Sequence, residues 1–284
     1  MAADTFAHYR IEQTIGEGPA GSVYAGLDLR DDRPLTIKVM HAALSLPRLR
    51  ERFVREMSAM TSVISPGLAR IHEVGAADGR FYVATEQLEG ESLARCVARG
   101  ALPVDECVRV GVAVLGALEV LHAHGTVHRN LKPTNVFLCH GQRVVLLDSG
   151  QVGALSGQAP ASAAVAVSQA VMMSPCWMSP EQARGGRVDL RSDLFVLGTL
   201  LREAATGERL FGSDSVIEQM YSVLHEQPPE LNGTPARLVF GRVIERAMRK
   251  RADARFRDAA AMAAELREVP ADGDPPPGAR RRRP

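Results

Sequence analysis

The alternation of hydrophobic and polar positions changes near residue 100. Before that point, four strand-like runs are separated by turn-forming residues; they span 9–16, 21–29, 35–40 and 81–88. One stretch among them has a helical period, which predicts an amphipathic helix ended by Pro66. The apolar positions of that stretch are Leu49, Phe53, Val54, Met57, Met60, Val63 and Ile64.

After residue 100 the pattern is mainly helical. Helices are predicted at 104–124, 193–205, 214–225, 235–250 and 258–268, with two short strands at 135–140 and 143–148. A β-rich first lobe followed by a helical second lobe is an α+β architecture. The longest apolar stretches, 108–121 and 194–201, are shorter than the roughly 20 residues of a membrane span.

The amino-acid composition limits which partners, metal sites and cellular locations are expected. Hydrophobic residues form 45% of the 284 residues, enough for a sizeable core. The 34 Lys and Arg residues nearly equal the 33 Asp and Glu residues, which argues against a nucleic-acid binder. The four cysteines are widely spaced, so neither a zinc site nor a disulfide framework is predicted. Together with the lack of a signal peptide at the start, this favours a cytoplasmic location.

A glycine-rich run, "IGEGPAGSVYAG", is the first candidate binding element. It contains Gly16, Gly18, Gly21 and Val23, and glycines let backbone amides approach phosphates closely. A dinucleotide fingerprint has similar spacing but leads into a helix, whereas a strand-like run follows here, which predicts a hairpin. An ordinary glycine-rich turn stays open as the alternative.

Two charged residues stand at apolar positions. Lys38 lies inside the strand-like "LTIKVM", and Glu56 lies within the apolar stripe of the amphipathic helix. A buried charge requires a partner, so the two are predicted to pair, which would let Lys38 hold nucleotide phosphates. The alternative is a lysine on an edge strand that points to solvent.

The other candidate functional residues lie in a series of short motifs. In chain order they are the glycine run, Lys38, Glu56, His128-Arg129-Asn130, Asn135, Asp148-Ser149-Gly150, Ser179-Pro180-Glu181, Asp193 and Arg255. This series resembles the signature of the eukaryotic-type (Hanks-type) serine/threonine protein kinases over residues 9–268. The sequences "MSPEQA" and "RFRDAAAM" are most similar to bacterial members, and Lys132 matches the serine/threonine pattern.

The resemblance implies a two-lobed protein kinase fold and a role for each matching residue. It implies an N-lobe over 9–87 and a C-lobe over 88–268, with an N-terminal extension over 1–8 before them. The Pro- and Arg-rich end, 269–284, is predicted from its composition to be a disordered tail. The implied nucleotide-site residues are Gly16, Gly18, Gly21, Val23, Lys38, Glu56, Glu86, Leu88 and Phe137, with Thr85 as gatekeeper. The cofactors would be ATP and Mg²⁺.

The same resemblance assigns the catalytic loop and the staples of the helical lobe. Asn135 and Asp148 would hold the magnesium, and Lys132 would approach the transferred phosphate. Glu181 and Arg255 would form a buried pair, and Asp193 would hold the catalytic loop from below.

Several positions depart from the family pattern. Asn130 replaces the catalytic aspartate, and loss of a positioned base typically lowers the rate about 10²–10⁴-fold. Pro19 removes an amide donor at the tip of the glycine run, and Ala20 replaces an aromatic lid. Thr36 replaces an alanine beside the adenine. Ser149 replaces a phenylalanine in a predicted stack with Ile71, Met60 and His128.

The activation segment, 148–181, is rich in Ala, Ser and Gly and is predicted to be mobile. Ser156, Ser162 and Ser168 are potential phosphorylation sites whose phosphate Arg129 would receive, although incidental serines in a flexible loop are the favoured interpretation.

The favoured functional hypothesis is a pseudokinase or weak kinase that binds ATP–Mg and regulates a signalling partner protein. The alternative is an active serine/threonine kinase, since Lys38, Glu56, Asn135 and Asp148 are all retained. A scaffold that binds no nucleotide is less favoured for the same reason. No nucleic acid and no membrane span are expected.

Overall fold

The computed structural model describes residues 5–45, 49–151 and 175–271. The first part of the chain forms a six-stranded antiparallel sheet in the order β1-β2-β3-β4-β6-β5. Its strands are β1 (Thr5–Phe6), β2 (Tyr9–Gly18), β3 (Gly21–Asp28), β4 (Pro34–Met40), β5 (Ile71–Ala77) and β6 (Arg80–Glu86). Four of them were predicted from the sequence; β1 and β5 were not.

Alternation along β4 gives this sheet two different faces. Leu35, Ile37 and Val39 pack on one face in a small core that includes Tyr9 and Tyr82. Because side chains alternate, Thr36 and Lys38 point to the opposite face. That face is turned toward the second lobe, since Lys38 contacts Asp148 there.

The amphipathic helix is shorter than predicted. Helix α1 spans Arg50–Ala59 and passes into a 3₁₀ turn over Met60–Ser62, so it ends before Pro66. Phe53 and Met57 are fully buried, whereas Ile64 lies beyond the helix and is 70% exposed. The helical spacing of apolar residues therefore continues in the sequence beyond the last residue of the helix.

The second lobe is mainly helical. Its helices are α2 (Leu93–Val97), α3 (Val104–Ala123), α4 (Pro180–Ala183), α5 (Leu190–Thr206), α6 (Val216–His225), α7 (Pro235–Ala247) and α8 (Ala259–Arg267). A small sheet of β7 (Gly90–Ser92), β8 (Val136–Cys139) and β9 (Val144–Leu146) lies beside them. The five predicted helices and two predicted strands all form, each within about three residues of its predicted ends.

Capping residues explain most of the helix starts. Side chains of Asp189, Ser215, Thr234 and Asp258 each accept a hydrogen bond from the first turn of α5, α6, α7 and α8, respectively. Helix α5 is buried on nearly all sides and forms the centre of the lobe. A Cβ at Gly198 would lie only 2.9 Å from Met248 Cγ, so glycine permits the close approach of α7 to α5.

The two lobes are joined by backbone and side-chain contacts. Leu146 of β9 donates to the Gly67 carbonyl at 2.8 Å and accepts from the Ala69 amide at 3.0 Å. Arg143 forms a bidentate ion pair with Glu86 and also donates to the Pro66 carbonyl at 2.7 Å. None of the helices in the described part of the chain has the length and apolarity that a membrane crossing requires.

Candidate active site

Strand β4 places Lys38 in the cleft between the lobes. Lys38 pairs in register with Val23 on one side and Val83 on the other, so these three side chains share the cleft-facing surface of the sheet. Thr36 pairs with the gatekeeper position Thr85, whose hydroxyl lies 3.4 Å from the Thr36 carbonyl. The strand register thus brings the predicted phosphate and adenine contacts to one surface.

The partner of Lys38 is Asp148. The Lys38 ammonium lies 2.5 Å from Asp148 Oδ2, and both side chains are largely buried. Burial raises the pKa of Asp148, but the Lys38 charge and hydrogen bond outweigh it and hold the pKa of this carboxyl below its usual range. Asp148 is therefore ionised at neutral pH and adopts a left-handed backbone conformation with φ of 60°.

The predicted pair of Lys38 with Glu56 is wrong for this structure. Glu56 pairs instead with Arg52 on the preceding turn of α1, with Nε and Oε1 2.8 Å apart. The Glu56 side chain is 39% exposed, so it is not the buried charge that the apolar stripe suggested. A partner four residues away on the same helix satisfies Glu56 locally, which leaves Lys38 to Asp148.

Lys132 completes a three-charge cluster. Burial lowers the pKa of Lys132, while the nearby Asp148 carboxylate raises it and Lys38 lowers it. Lys38 and Lys132 both interact electrostatically with the Asp148 carboxylate, and the formal charge of the three groups is +1. Such a site attracts anions in a partly desolvated cleft.

Asp193 holds the catalytic loop from the base of the helical lobe. Its carboxylate accepts hydrogen bonds from the backbone amides of His128 at 2.8 Å and Arg129 at 3.0 Å. It also contacts His122 Nε2 at 2.9 Å. Arg129 has a φ of 66°, a left-handed conformation that these amide contacts maintain.

The hydrogen bonds around His128 fix the position of Asn130. His128 Nε2 donates to the Leu147 carbonyl at 2.9 Å, so Nδ1 is the acceptor for the Asn130 amide at 3.3 Å. Burial lowers the pKa of His128, so its ring is neutral. The Asn130 side chain is partly buried and makes no hydrogen bond within the described part of the chain.

Asn135 is bound to the same loop. Its Nδ2 donates to the Asn130 carbonyl at 2.9 Å, and its own carbonyl accepts from the Leu147 amide at 2.9 Å. The second bond places Asn135 next to Asp148. An amide oxygen beside a carboxylate fits the oxygen ligands that Mg²⁺ prefers.

The glycine run forms a tight hairpin. Gly18 pairs with Gly21, and Pro19 and Ala20 occupy the turn. Gly21 requires glycine, because it has a φ of 155° and a Cβ there would lie 2.1 Å from the Val39 carbonyl oxygen. His41 ties the tip to the end of β4: its amide donates to Ala20 O at 3.1 Å and its Nε2 donates to Gly18 O at 2.9 Å.

Three of the predicted nucleotide-site residues, Glu86, Leu88 and Phe137, lie where the lobes join. Glu86 is the last residue of β6, and Leu88 follows two residues later, before β7. Phe137 lies on β8, half-buried, and pairs with Ser92 and Val145. The Glu86 carboxylate is bound to Arg143, so its side chain joins the lobes.

Ser149 is buried in the position of the missing phenylalanine. It is 8% exposed, and its hydroxyl finds no hydrogen-bond partner in the described structure. The three residues predicted to stack with it, Met60, Ile71 and His128, are also buried. Met60 Sδ instead accepts a weak hydrogen bond from the Thr126 hydroxyl at 3.7 Å.

A buried ion pair fastens the end of the activation segment. Arg255 donates to Glu181 Oε1 at 2.8 Å and Oε2 at 2.9 Å, and the predicted pair is therefore present. Burial raises the pKa of Glu181, and the Arg255 contacts lower it to a net value below its usual range. Gln182, the next residue, caps α4 with Ser179 and donates to the Arg129 carbonyl at 3.0 Å.

Sequence reasoning missed the contacts that connect these motifs. His122, Arg143, Gln182 and His41 belong to no catalytic motif, and their partners are distant in sequence. A polar residue at the end of the apolar helix α3 was the available signal for His122. Ser156, Ser162 and Ser168 lie outside the described residues, as does most of the predicted tail.

Comparisons with known proteins agree with this geometry. Residues 9–252 match the protein kinase domain family. The serine/threonine-protein kinase PknL of Mycobacterium bovis is 32% identical over 93% of this chain and 66% of its own length. The serine/threonine-protein kinase pkn3 of Myxococcus xanthus is 34% identical over 92% of this chain and 50% of its own length. The chain thus spans between half and two thirds of these relatives.

A solved structure extends the comparison to the fold. The kinase domain of Mycobacterium tuberculosis PknI has 25% identity and a TM-score of 0.74, covering 95% of this chain and 99% of that one. The matched family, the similar bacterial enzymes and the two-lobed architecture lead to one conclusion: the chain belongs to the protein kinase family, of the Hanks-type serine/threonine kind found in bacteria.

Proposed function

We propose that the domain at residues 9–268 binds ATP with Mg²⁺ between its lobes and transfers phosphate weakly or not at all. It would act as a pseudokinase that regulates a signalling partner protein. The observation that carries the proposal is the contrast between Asn130 and its neighbours. Lys38, Lys132, Asn135 and Asp148 converge on one cleft, while the position of the base holds a neutral amide.

Nucleotide binding is supported by the charge of the cleft. Lys38 and Lys132 would meet the phosphates, and the glycine hairpin would cover them with backbone amides. Asn135 and Asp148 would hold Mg²⁺, which neutralises phosphate charge when bound. For Asp148 to do so, its contact with Lys38 would have to loosen, because both cations compete for the same carboxylate.

Weak transfer is supported by Asn130. An aspartate orients the attacking hydroxyl and accepts its proton, whereas an amide oxygen accepts only a hydrogen bond. Asp193 and His128 hold the backbone of this loop through hydrogen bonds, so residue 130 has a fixed position. Its side chain, however, is an amide and not a carboxylate. A missing base typically lowers the rate about 10²–10⁴-fold.

The alternative, an active serine/threonine kinase acting on a protein substrate, is favoured by the intact Lys38, Asn135 and Asp148. Phosphoryl transfer depends largely on positioning and electrostatics, so an amide at position 130 does not by itself abolish it. Two measurements on the same preparation separate the hypotheses: a thermal-shift titration with ATP and Mg²⁺, and phosphate incorporation into a generic serine/threonine substrate.

We expect ATP–Mg to raise the melting temperature, because a ligand that binds the folded state stabilises it. The rise should shrink in Lys38→Ala and Asp148→Ala. Arg251→Ala, a change at an 82% exposed side chain outside the cleft, is the control and should keep the full rise. No rise at millimolar ATP would leave only a scaffold, and rapid incorporation by the natural chain would make it an active kinase.

A further inference from the structure

A second cluster of charged side chains lies at the opposite end of the sheet from the glycine hairpin. It consists of His8, Asp28 and Glu73, each with one donor atom within 4.8 Å of the others. Asp28 ends β3, seven residues from Gly21, which places the cluster about 23 Å from the glycine hairpin. It therefore lies outside the proposed nucleotide site.

The donor atoms have the spacing of metal ligands. His8 Nε2 is 3.3 Å from Glu73 Oε2 and 3.9 Å from Asp28 Oδ2. Bonds of about 2.0–2.2 Å put the ligands of a tetrahedral zinc ion about 3.3–3.5 Å apart. The first distance already matches, and the second requires a contraction of about 0.5 Å.

The cluster also carries unbalanced negative charge. A hydrogen bond from Arg30 lowers the pKa of Asp28 to about 2. Burial raises the pKa of Glu73, but hydrogen bonds from Tyr82 and Arg30 hold it below its usual range. Two carboxylates thus share the single guanidinium of Arg30, which lies 2.6 Å from Asp28 and 2.5 Å from Glu73. The Arg30 side chain is 56% exposed, so it can turn outward.

Two polar atoms beside the carboxylates have no hydrogen-bond partner in the described structure. His8 Nε2 is shielded from solvent, and its 3.3 Å contact with Glu73 Oε2 does not have the geometry of a hydrogen bond. The hydroxyl of Tyr9, a residue with no exposed surface, also has no hydrogen-bond partner there. The Tyr9 ring lies beside the cluster, with its centroid 4.2 Å from that of the His8 ring. Burial raises the pKa of Tyr9, as do the charges of Glu73 and Asp28. The Tyr82 hydroxyl, by contrast, donates to Glu73 Oε1 at 2.6 Å and orients that carboxylate.

We propose that His8, Asp28 and Glu73 bind one divalent transition-metal ion of the zinc type in place of the Arg30 guanidinium. One imidazole and two carboxylates are a donor set that zinc accepts, with water as the fourth ligand. The Tyr9 hydroxyl would bind that water, and Tyr82 would hold Glu73 as an outer partner. The metal would join the segment before β2 to β3 and β5. Its binding would not depend on nucleotide binding in the cleft.

The test is calorimetric titration of the full, chelator-treated chain with zinc chloride. A Cys139→Ser background removes the partly exposed thiol of the described residues. We expect one zinc ion per chain, with at least about tenfold weaker binding in His8→Gln and in Glu73→Gln. Arg30→Met should bind more tightly, because it removes the competing guanidinium. His140→Gln, at an exposed histidine elsewhere, is the matched control and should not change binding.

Equal zinc affinity in the background protein and His8→Gln would overturn the proposal. So would the absence of zinc binding by the background protein, even if Arg30→Met bound zinc, since the guanidinium would then be the natural occupant. If Glu73→Gln fails to fold by circular dichroism, His8→Gln decides alone, because its side chain is 28% exposed and lies before the first long strand.

Discussion

Replacing Arg255 with alanine would test the staple of the helical lobe. The Arg255 side chain is wholly buried and donates to both oxygens of Glu181 and to the carbonyls of Arg249, Arg191 and Lys250. The change would leave the Glu181 carboxylate, 17% exposed, with the Ser192 hydroxyl as its remaining side-chain partner. Removal of one member of a buried pair typically costs about 3–5 kcal/mol.

That cost is large compared with the stability of a domain. Folded domains are stable by about 5–15 kcal/mol, and 1 kcal/mol corresponds to about 2–4 °C in a domain of this size class. The melting temperature of Arg255→Ala should therefore fall by about 6–20 °C. The assay is thermal unfolding followed by circular dichroism, with urea unfolding to give the free energy.

The matched control is Arg251→Ala, four residues away. Arg251 also pairs with a carboxylate, Asp253 at 2.6 Å, but its side chain is 82% exposed and solvent screens the pair. Arg251→Ala should leave the melting temperature nearly unchanged. Equal losses in the two variants would refute the argument, because they would mean that burial of the Arg255 pair contributes nothing.

Three other predictions concern catalysis, nucleotide binding and pH. Asn130→Asp should raise phosphate incorporation by up to about 10²–10⁴-fold over the natural chain; equal rates would show that the amide is no defect. Glu56→Gln should leave the unliganded melting temperature unchanged but reduce its rise with ATP–Mg, if Lys38 turns to Glu56 once Asp148 holds metal; an undiminished rise would show that Lys38 does not require Glu56. The pKa of Glu181 is lower in the folded state, so its stabilising effect is present above the unfolded value of 4.5 and is lost as pH falls through the folded value. Urea unfolding at pH 7 and pH 4 should therefore show a narrower gap between the natural chain and Arg255→Ala at the lower pH; a constant gap would contradict the pairing.

The sequence predicted the fold well because its elements are marked by period and caps. Helix α3 and helix α5 are long apolar runs, and a run of more than about 10–12 residues favours a helix over a strand. Strand β5 was missed because its sequence, "IHEVGAA", has polar residues at its start and glycine and alanine at its end. Its strand state depends on pairing with β6, which is a non-local contact.

The partners of the charged residues in the site were hard to predict from the sequence. Two charges at apolar positions led to a predicted pair of Lys38 and Glu56, but their partners in the structure are Asp148 and Arg52. The choice depends on how α1 is turned relative to the sheet, and the apolar period does not fix that rotation to within one side chain. The Glu181–Arg255 pair, which the family resemblance implied, is present.

If the proposed function is correct, the charges of the cleft explain how a nucleotide pocket can persist beside a lost base. Asp148 requires a cation because it is buried, and Lys38 requires an anion for the same reason, so each stabilises the other without nucleotide. Selection for a stable fold would therefore keep both residues even if phosphate transfer were lost. Asn130 has no such role, because its side chain binds nothing in the described structure and only its backbone holds the loop. A carboxylate at position 130 would have no such structural role in this fold, and at that position this chain has asparagine where the family pattern has aspartate.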